Sequence, residues 1–97
     1  MKENEHILVC LMEECSEVTK DVCKALRFGL DDSDPNMQGK TNRLKIATEW
    51  AEVIAIGEML IARGVMPDFR TDEFIRAKKD KVSKYIGYAK LAGTIVE

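Results

Sequence analysis

Apolar residues recur at helical rather than alternating intervals in three segments of the chain. In residues 4–28, Ile7, Leu11, Val18, Val22 and Leu26 stand apart by helical steps, with Cys15 completing the stripe, which predicts an amphipathic helix. Gly29 supplies its stop. Thr41 or Asn42 is the candidate N-cap of a second helix over residues 42–63, which Gly64 closes. Val53, Ile54, Ile56, Leu60 and Ile61 make the latter half of this segment apolar nearly all round, predicting a buried central helix. The third segment, residues 72–92, has Thr71 as N-cap and Asp72 and Glu73 in its first turn, where carboxylates suit the positive end of the helix dipole. Phe74, Ile75, Val82, Tyr85, Ile86 and Ala89 form its inner face. Sustained alternation and Asn-Gly hairpins are absent from the sequence, so the fold class is all-α, a bundle of about three main helices in a single domain.

Composition narrows what such a bundle can be. The chain has 97 residues, 45% hydrophobic and 33% charged, as expected of one small domain rather than a disordered or collagen-like chain. No apolar run approaches the roughly 20 residues of a membrane helix, and the first residues are polar rather than a basic stretch followed by an apolar one. Cys10, Cys15 and Cys23 cannot all pair and contain no Cys-x-x-Cys, which suits a reducing compartment. A cytoplasmic protein without a membrane partner is the expectation. A domain of this length buries only about 60 to 70% of its unfolded surface, so an apolar helix face is expected to be covered by a second copy. A homodimer or a dimer of dimers would complete a four-helix core from the first two segments of both chains.

The net charge of −2 is unevenly divided. Residues 1–69 carry eight Lys and Arg against thirteen Asp and Glu, and residues 70–97 carry seven against four. This is not the basic excess of a binder of nucleic-acid polymers. An acidic body with a basic final segment suggests cations at one place and an anion at another. Residues 30–40 are rich in turn formers and read as a surface loop. Asp32, Asp34 and Asn36 fall at the first, third and fifth positions of a calcium loop, but Met37 stands where that pattern needs Gly and Arg43 where it needs Glu, which argues against one.

The candidate chemistry lies in two Glu-x-x-Glu strings, Glu14-Cys15-Ser16-Glu17 and Glu49-Trp50-Ala51-Glu52. Residues three apart share a helix face, with Cβ atoms about 5 to 6 Å apart. If the two helices are antiparallel neighbours, Glu14, Glu17, Glu49 and Glu52 converge. Such a cluster repels itself unless divalent cations neutralise it, and hard cations such as Mg²⁺ take oxygen ligands. The alternative is a solvated acidic face, the ordinary explanation of such strings. Two features favour metal: in the first segment the acids stand off the apolar stripe, and in the second Glu49 and Glu52 sit among Trp50, Val53, Ile54 and Ile56, poor company for a solvated charge. A di-iron bundle needs Glu-x-x-His on two helices, and the one histidine, His6, precedes every motif glutamate. His6 and Cys10 lack the second pair that would complete a zinc site, and Cys15 and Cys23 read as packing residues. Ser-His-Asp sets, P-loops and dinucleotide-binding glycine patterns are absent from the sequence.

These residues resemble the all-α nucleoside triphosphate pyrophosphohydrolases of the MazG-like group, especially its short phage-type members. Glu13-Glu14-Cys15-Ser16-Glu17 is similar to the group's first acidic motif, and Glu49-Trp50-Ala51-Glu52 to its second, with Glu52 where Asp is usual. Lys24-Ala25-Leu26-Arg27-Phe28-Gly29 resembles the end of the first motif helix, and Thr41-Asn42-Arg43 the start of the second. Ala77-Lys78-Lys79-Asp80-Lys81-Val82-Ser83-Lys84-Tyr85 resembles the Lys- and Tyr-bearing last helix. The spacer from Val18 to Thr48, 31 residues, is longer than usual, and the Asp-rich loop can house the extra length.

The resemblance implies hydrolysis of nucleoside or deoxynucleoside triphosphates to monophosphate and pyrophosphate, with Mg²⁺, or Mn²⁺ as substitute, on Glu14, Glu17, Glu49 and Glu52. Glu14 or Glu17 would orient or deprotonate the attacking water. Lys78, Lys81 and Tyr85, at i, i+3 and i+7 on one face, would meet phosphate oxygens at the metal cluster of their own chain or of a second subunit. Arg27 and Asn42 join the candidate substrate contacts, each with a structural alternative: Arg27 complements the helix dipole, and Asn42 caps a helix. Trp50 and Phe28 are either base-stacking residues or core. A non-catalytic nucleotide-binding homologue and a helical protein-interaction module are the competing readings.

Overall fold

Three helices form where spacing and caps place them: α1 over Glu3–Phe28, α2 over Asn42–Ala62 and α3 over Asp72–Ala92. The computed structural model describes residues 1–33 and 39–97. Asp34, Asn36 and Met37 of the calcium-loop pattern lie outside the described residues. Among those described, the only pairing of extended backbone is an isolated antiparallel bridge between Ser33 and Thr41. No helix among them is long and apolar enough to cross a membrane. Two compact units divide the chain, Met1–Met66 and Pro67–Glu97.

In the first unit α1 and α2 pack as an antiparallel hairpin. Its loop end is tied by backbone and side chain together. Gly29, at φ 102°, lets the chain leave α1, and its N–H donates to the Ala25 carbonyl at 2.8 Å. The N–H groups of Asn42 and Arg43 then donate back to Asp32 and Leu30 carbonyls at 2.9 and 2.8 Å. Thr41, rather than Asn42, is the N-cap, its Oγ1 accepting from the Leu44 N–H at 3.3 Å. Asn42 is buried, and its Nδ2 donates to the Gly29 carbonyl at 2.9 Å. At the open end Arg63 spans the hairpin, donating to Asn4 Oδ1 at 2.9 Å and to Glu3 at 3.3 Å.

The packed seam of α1 differs from its expected apolar stripe. Ile7 and Ala25 are buried and Leu11 and Val18 half-buried, but Val22 is 38% and Leu26 84% exposed. The seam runs Ile7, Leu11, Glu14, Val18, Asp21, Ala25, in steps of four and three, with two acids inside it. The opposing seam of α2 runs Asn42, Ile46, Glu49, Val53, Ile56, Leu60 in the same steps. Cys15 and Cys23 are exposed thiols and not packing residues, because Cys15 stands one position and Cys23 two positions from the nearest seam residue. The acids of α1 do not stand off its packed face: Glu14 lies in it.

Segment two is not a fully enclosed helix in this chain. Leu60 is wholly buried, whereas Val53, Ile54, Ile56 and Ile61 are half-buried and Trp50 is 59% exposed, since α1 covers one side of α2 only.

In the second unit Thr71 caps α3, its Oγ1 accepting from the Phe74 N–H at 3.1 Å, and Gly93 closes the helix in the left-handed conformation. Asp68 pairs with Arg70 at 2.9 Å, and this hydrogen-bonded guanidinium lowers the Asp68 carboxyl to about 2. The Phe69 and Phe74 rings stack with centroids 5.9 Å apart. The expected inner face of α3 is not an interior: no residue of this helix is buried, and of the stripe only Ala89 is half-buried. A stripe becomes a core only against a second layer, and α3 is the one helix of its unit.

Candidate metal centre

Two facing seam positions at mid-hairpin are acidic, and this places the chemistry. Glu14 of α1 and Glu49 of α2 are both half-buried, and Glu52, one turn along α2, is exposed beside them. One carboxylate oxygen from each of the three lies within 4.8 Å of the others. Octahedral Mg²⁺ with oxygens at 2.0 to 2.1 Å sets them about 3 to 4 Å apart, so small side-chain rotations bring this donor set onto one ion. The donors are all oxygen, the choice of a hard cation.

Glu49 is the most constrained member. Its Oε2 is shut off from solvent and has no hydrogen-bond partner. Two ionised carboxylates have no hydrogen to offer each other, so Glu14 becomes a partner only when a proton is held between them. That shared proton is the first cause raising the Glu49 carboxyl from its ordinary 4.5 to about 7; burial and the nearby Glu52 carboxylate add to it. For Glu14 the contact with Glu49 acts in the opposite direction and favours its ionised form, but Glu52, burial and the charge of Glu17 together outweigh it and hold Glu14 above its ordinary value. An orphaned, solvent-shielded carboxylate oxygen facing two more carboxylates can be satisfied by a shared proton or by a cation.

The sequence expectation placed four glutamates on one point. Glu14, Glu49 and Glu52 come together; Glu17 stands one turn further along α1, exposed, bordering a groove that it shares with Glu49. Of the other candidates, Asn42 spends its amide N–H on Gly29 at the hairpin end. Arg27 lies with its guanidinium 4.8 Å from the centre of the Phe28 ring. Lys78, Lys81 and Tyr85 share an exposed face of α3 in the second unit, where the Tyr85 and Tyr88 rings meet edge-on at 6.2 Å. Trp50 and Phe28 are exposed rather than core, at 59% and 56%.

Asp21 was not singled out by sequence. It is buried in the α1 seam and lines the same groove as Glu17 and Glu49. Its signal was available in the spacing, since it follows Glu14 by seven residues, two turns on the same face. Neither a protein-family model, nor a curated protein, nor a solved structure matches the chain.

Proposed function

We propose that Glu14, Glu49 and Glu52 hold Mg²⁺, with Mn²⁺ as a substitute, and that the protein hydrolyses nucleoside or deoxynucleoside triphosphates to monophosphate and pyrophosphate as a MazG-like pyrophosphohydrolase. The observation that carries the metal is the buried, unpartnered Oε2 of Glu49 between two further carboxylates. The reaction class rests on the resemblance of the two acidic motifs. When bound, the cation supplies neutralisation of phosphate charge and a water of lowered pKa. Glu17, exposed and outside the three-glutamate group, would take a proton from the water that attacks one phosphorus of the α–β phosphoanhydride, the bridging P–O bond breaking to leave monophosphate and pyrophosphate. Lys78, Lys81, Tyr85 and Arg27 remain the proposed substrate contacts on the same resemblance, whereas Asn42, buried and bonded to Gly29, keeps its structural role.

Incubation of the purified protein with a panel of NTPs and dNTPs and Mg²⁺ or Mn²⁺ tests the reaction. Monophosphate and pyrophosphate in equal amounts are expected. Release of orthophosphate alone would remove the reading, and tight nucleotide binding without turnover would replace it with a non-catalytic binder.

Assembly belongs to the same proposal. Among the described residues the buried hydrophobic ones are Ile7, Ala25 and Leu60, of which Leu60 alone is fully buried, and Leu44, Trp50 and Met59 on α2 are exposed. A core this small does not stabilise a domain of this length. A second copy seated on α2 would complete a four-helix core. Light scattering at micromolar concentration should give a dimer or tetramer; an active species at the 11.0 kDa chain mass would refute it.

A further inference from the structure

Beside the carboxylates, α1 and α2 enclose a groove of about 210 Å³ bordered by Lys20, Lys24, Lys40 and Lys45, and by Glu17 and Glu49 of the site itself. Four ammonium groups share this groove with the carboxylates of Glu17, Asp21 and Glu49, an excess of one positive charge that grows once Glu49 is taken up by a proton or a cation. Lys24 and Lys45 are half-buried, their stems lying along the hairpin beside the groove. Yet among the described residues none of the four makes an ion pair, although Asp21 also lines the groove. Arg43 and Arg63, by contrast, are each paired within the same hairpin. Lys40 and Lys45 also flank the N-terminus of α2, whose dipole adds positive potential.

The groove is smaller than the roughly 300 to 1,000 Å³ of pockets that take a whole drug-sized ligand. It suits a short phosphate chain rather than a nucleoside. Because Glu17 and Glu49 border it, such a chain would lie with one end at the carboxylates and the other among the lysines.

We infer that this groove binds the polyphosphate of the substrate and the pyrophosphate product, with Lys24 and Lys45 as principal contacts and Lys20 and Lys40 at the rim. The inference rests on the reading of the carboxylates as a hydrolytic centre, and it gives α1 and α2 their own phosphate contacts, independent of Lys78 and Lys81.

Titration calorimetry of the full chain with inorganic pyrophosphate, with and without Mg²⁺, and with Mg²⁺ alone, tests it. Lys24→Ala and Lys45→Ala should each weaken pyrophosphate binding by about tenfold or more, the loss of one charge-assisted contact, without lowering Mg²⁺ affinity. Lys24→Arg and Lys45→Arg should restore most of the binding, and Lys90→Ala on α3 should leave it unchanged. Circular dichroism confirms that each variant folds; the exposed pair Lys20→Ala with Lys40→Ala repeats the test away from the packed seam. Wild-type affinity for pyrophosphate in all the alanine variants would overturn the groove, as would the lack of any pyrophosphate binding by the wild type. Failure of the metal reading has a different signature: no saturable Mg²⁺ binding, with lysine-dependent pyrophosphate binding intact, which supports the groove and removes the cation.

Discussion

Glu49→Gln raises the melting temperature of the metal-free protein at pH 8 while lowering triphosphate turnover by at least about 100-fold, beyond the roughly 10- to 100-fold typical of losing an outer-shell partner. The two effects share one cause. At that pH Glu49 is ionised, with an oxygen that neither water nor any donor reaches, and it faces the carboxylates of Glu14 and Glu52. A glutamine of the same shape removes the repulsion and can turn its amide N–H toward Glu14. The same change removes a charged ligand from the proposed cation. Glu73→Gln, in the first turn of α3, is the control and should change neither turnover nor, by more than about 0.5 kcal/mol, stability. A solvated acidic face predicts a different pattern, in which Glu49→Gln leaves turnover intact. Thermal melts and steady-state rates on the same preparations separate the two.

The second large effect is a reversal of the pH dependence of stability by Mg²⁺. The Glu49 carboxyl titrates at about 7 in the folded chain against an ordinary 4.5. Between those values the folded state holds a proton that the unfolded state has released, so the unfolded state binds fewer protons and stability falls as pH rises. The contribution is fully present below about pH 4.5 and lost by about pH 7 and above. Glu14, raised in the same direction, reinforces the trend. Mg²⁺ competes for the same oxygens and binds best once the protons have left. Thermal melts without metal should therefore drop from pH 5 to pH 8, and Mg²⁺ should stabilise at pH 8 but hardly at pH 5. At 100 times its Kd the ion adds about 2.7 kcal/mol. Equal stabilisation at both pH values would mean that the ion binds elsewhere.

The helices were legible because their ends carry local chemistry. Gly29, Thr41, Thr71 and Gly93 each satisfy a backbone group that the helix leaves over, and such signals act within a few residues. The hairpin was less legible: antiparallel packing entered only as a condition for the acidic motifs to converge, because mid-helix positions can meet whichever way two helices run. What the apolar pattern obscured was rotation. Following hydrophobic residues alone traces α1 through Cys15, Val22 and Leu26, one position away from the seam that Glu14, Asp21 and Ala25 occupy. A search for apolar faces assigns acids to solvent, so a seam that includes acids is displaced by about 100°. The repeated four-and-three spacing through Glu14 and Asp21 on one helix, and through Asn42 and Glu49 on the other, was the available signal. Glu17 was grouped with the cluster because it lies three residues from Glu14, but that step carries it to the seam's edge. The lysine groove was illegible, because Lys20 and Lys24 meet Lys40 and Lys45 only once the hairpin closes. Surface ion pairs at the hairpin ends, such as Arg43 with Asp31 at 3.0 Å, contribute little to stability, though they help to fix the pairing of the two helices.

Direct titration of Mn²⁺ into the full chain at pH 8, read by calorimetry, tests the central claim most directly. Saturable binding is predicted for the wild type, with proton release that grows as the pH is lowered toward 7, and near-complete loss in Glu14→Gln and Glu49→Gln. Absence of saturable binding by the wild type, or unchanged binding in both variants, would contradict the assignment of Glu14, Glu49 and Glu52 as a metal centre.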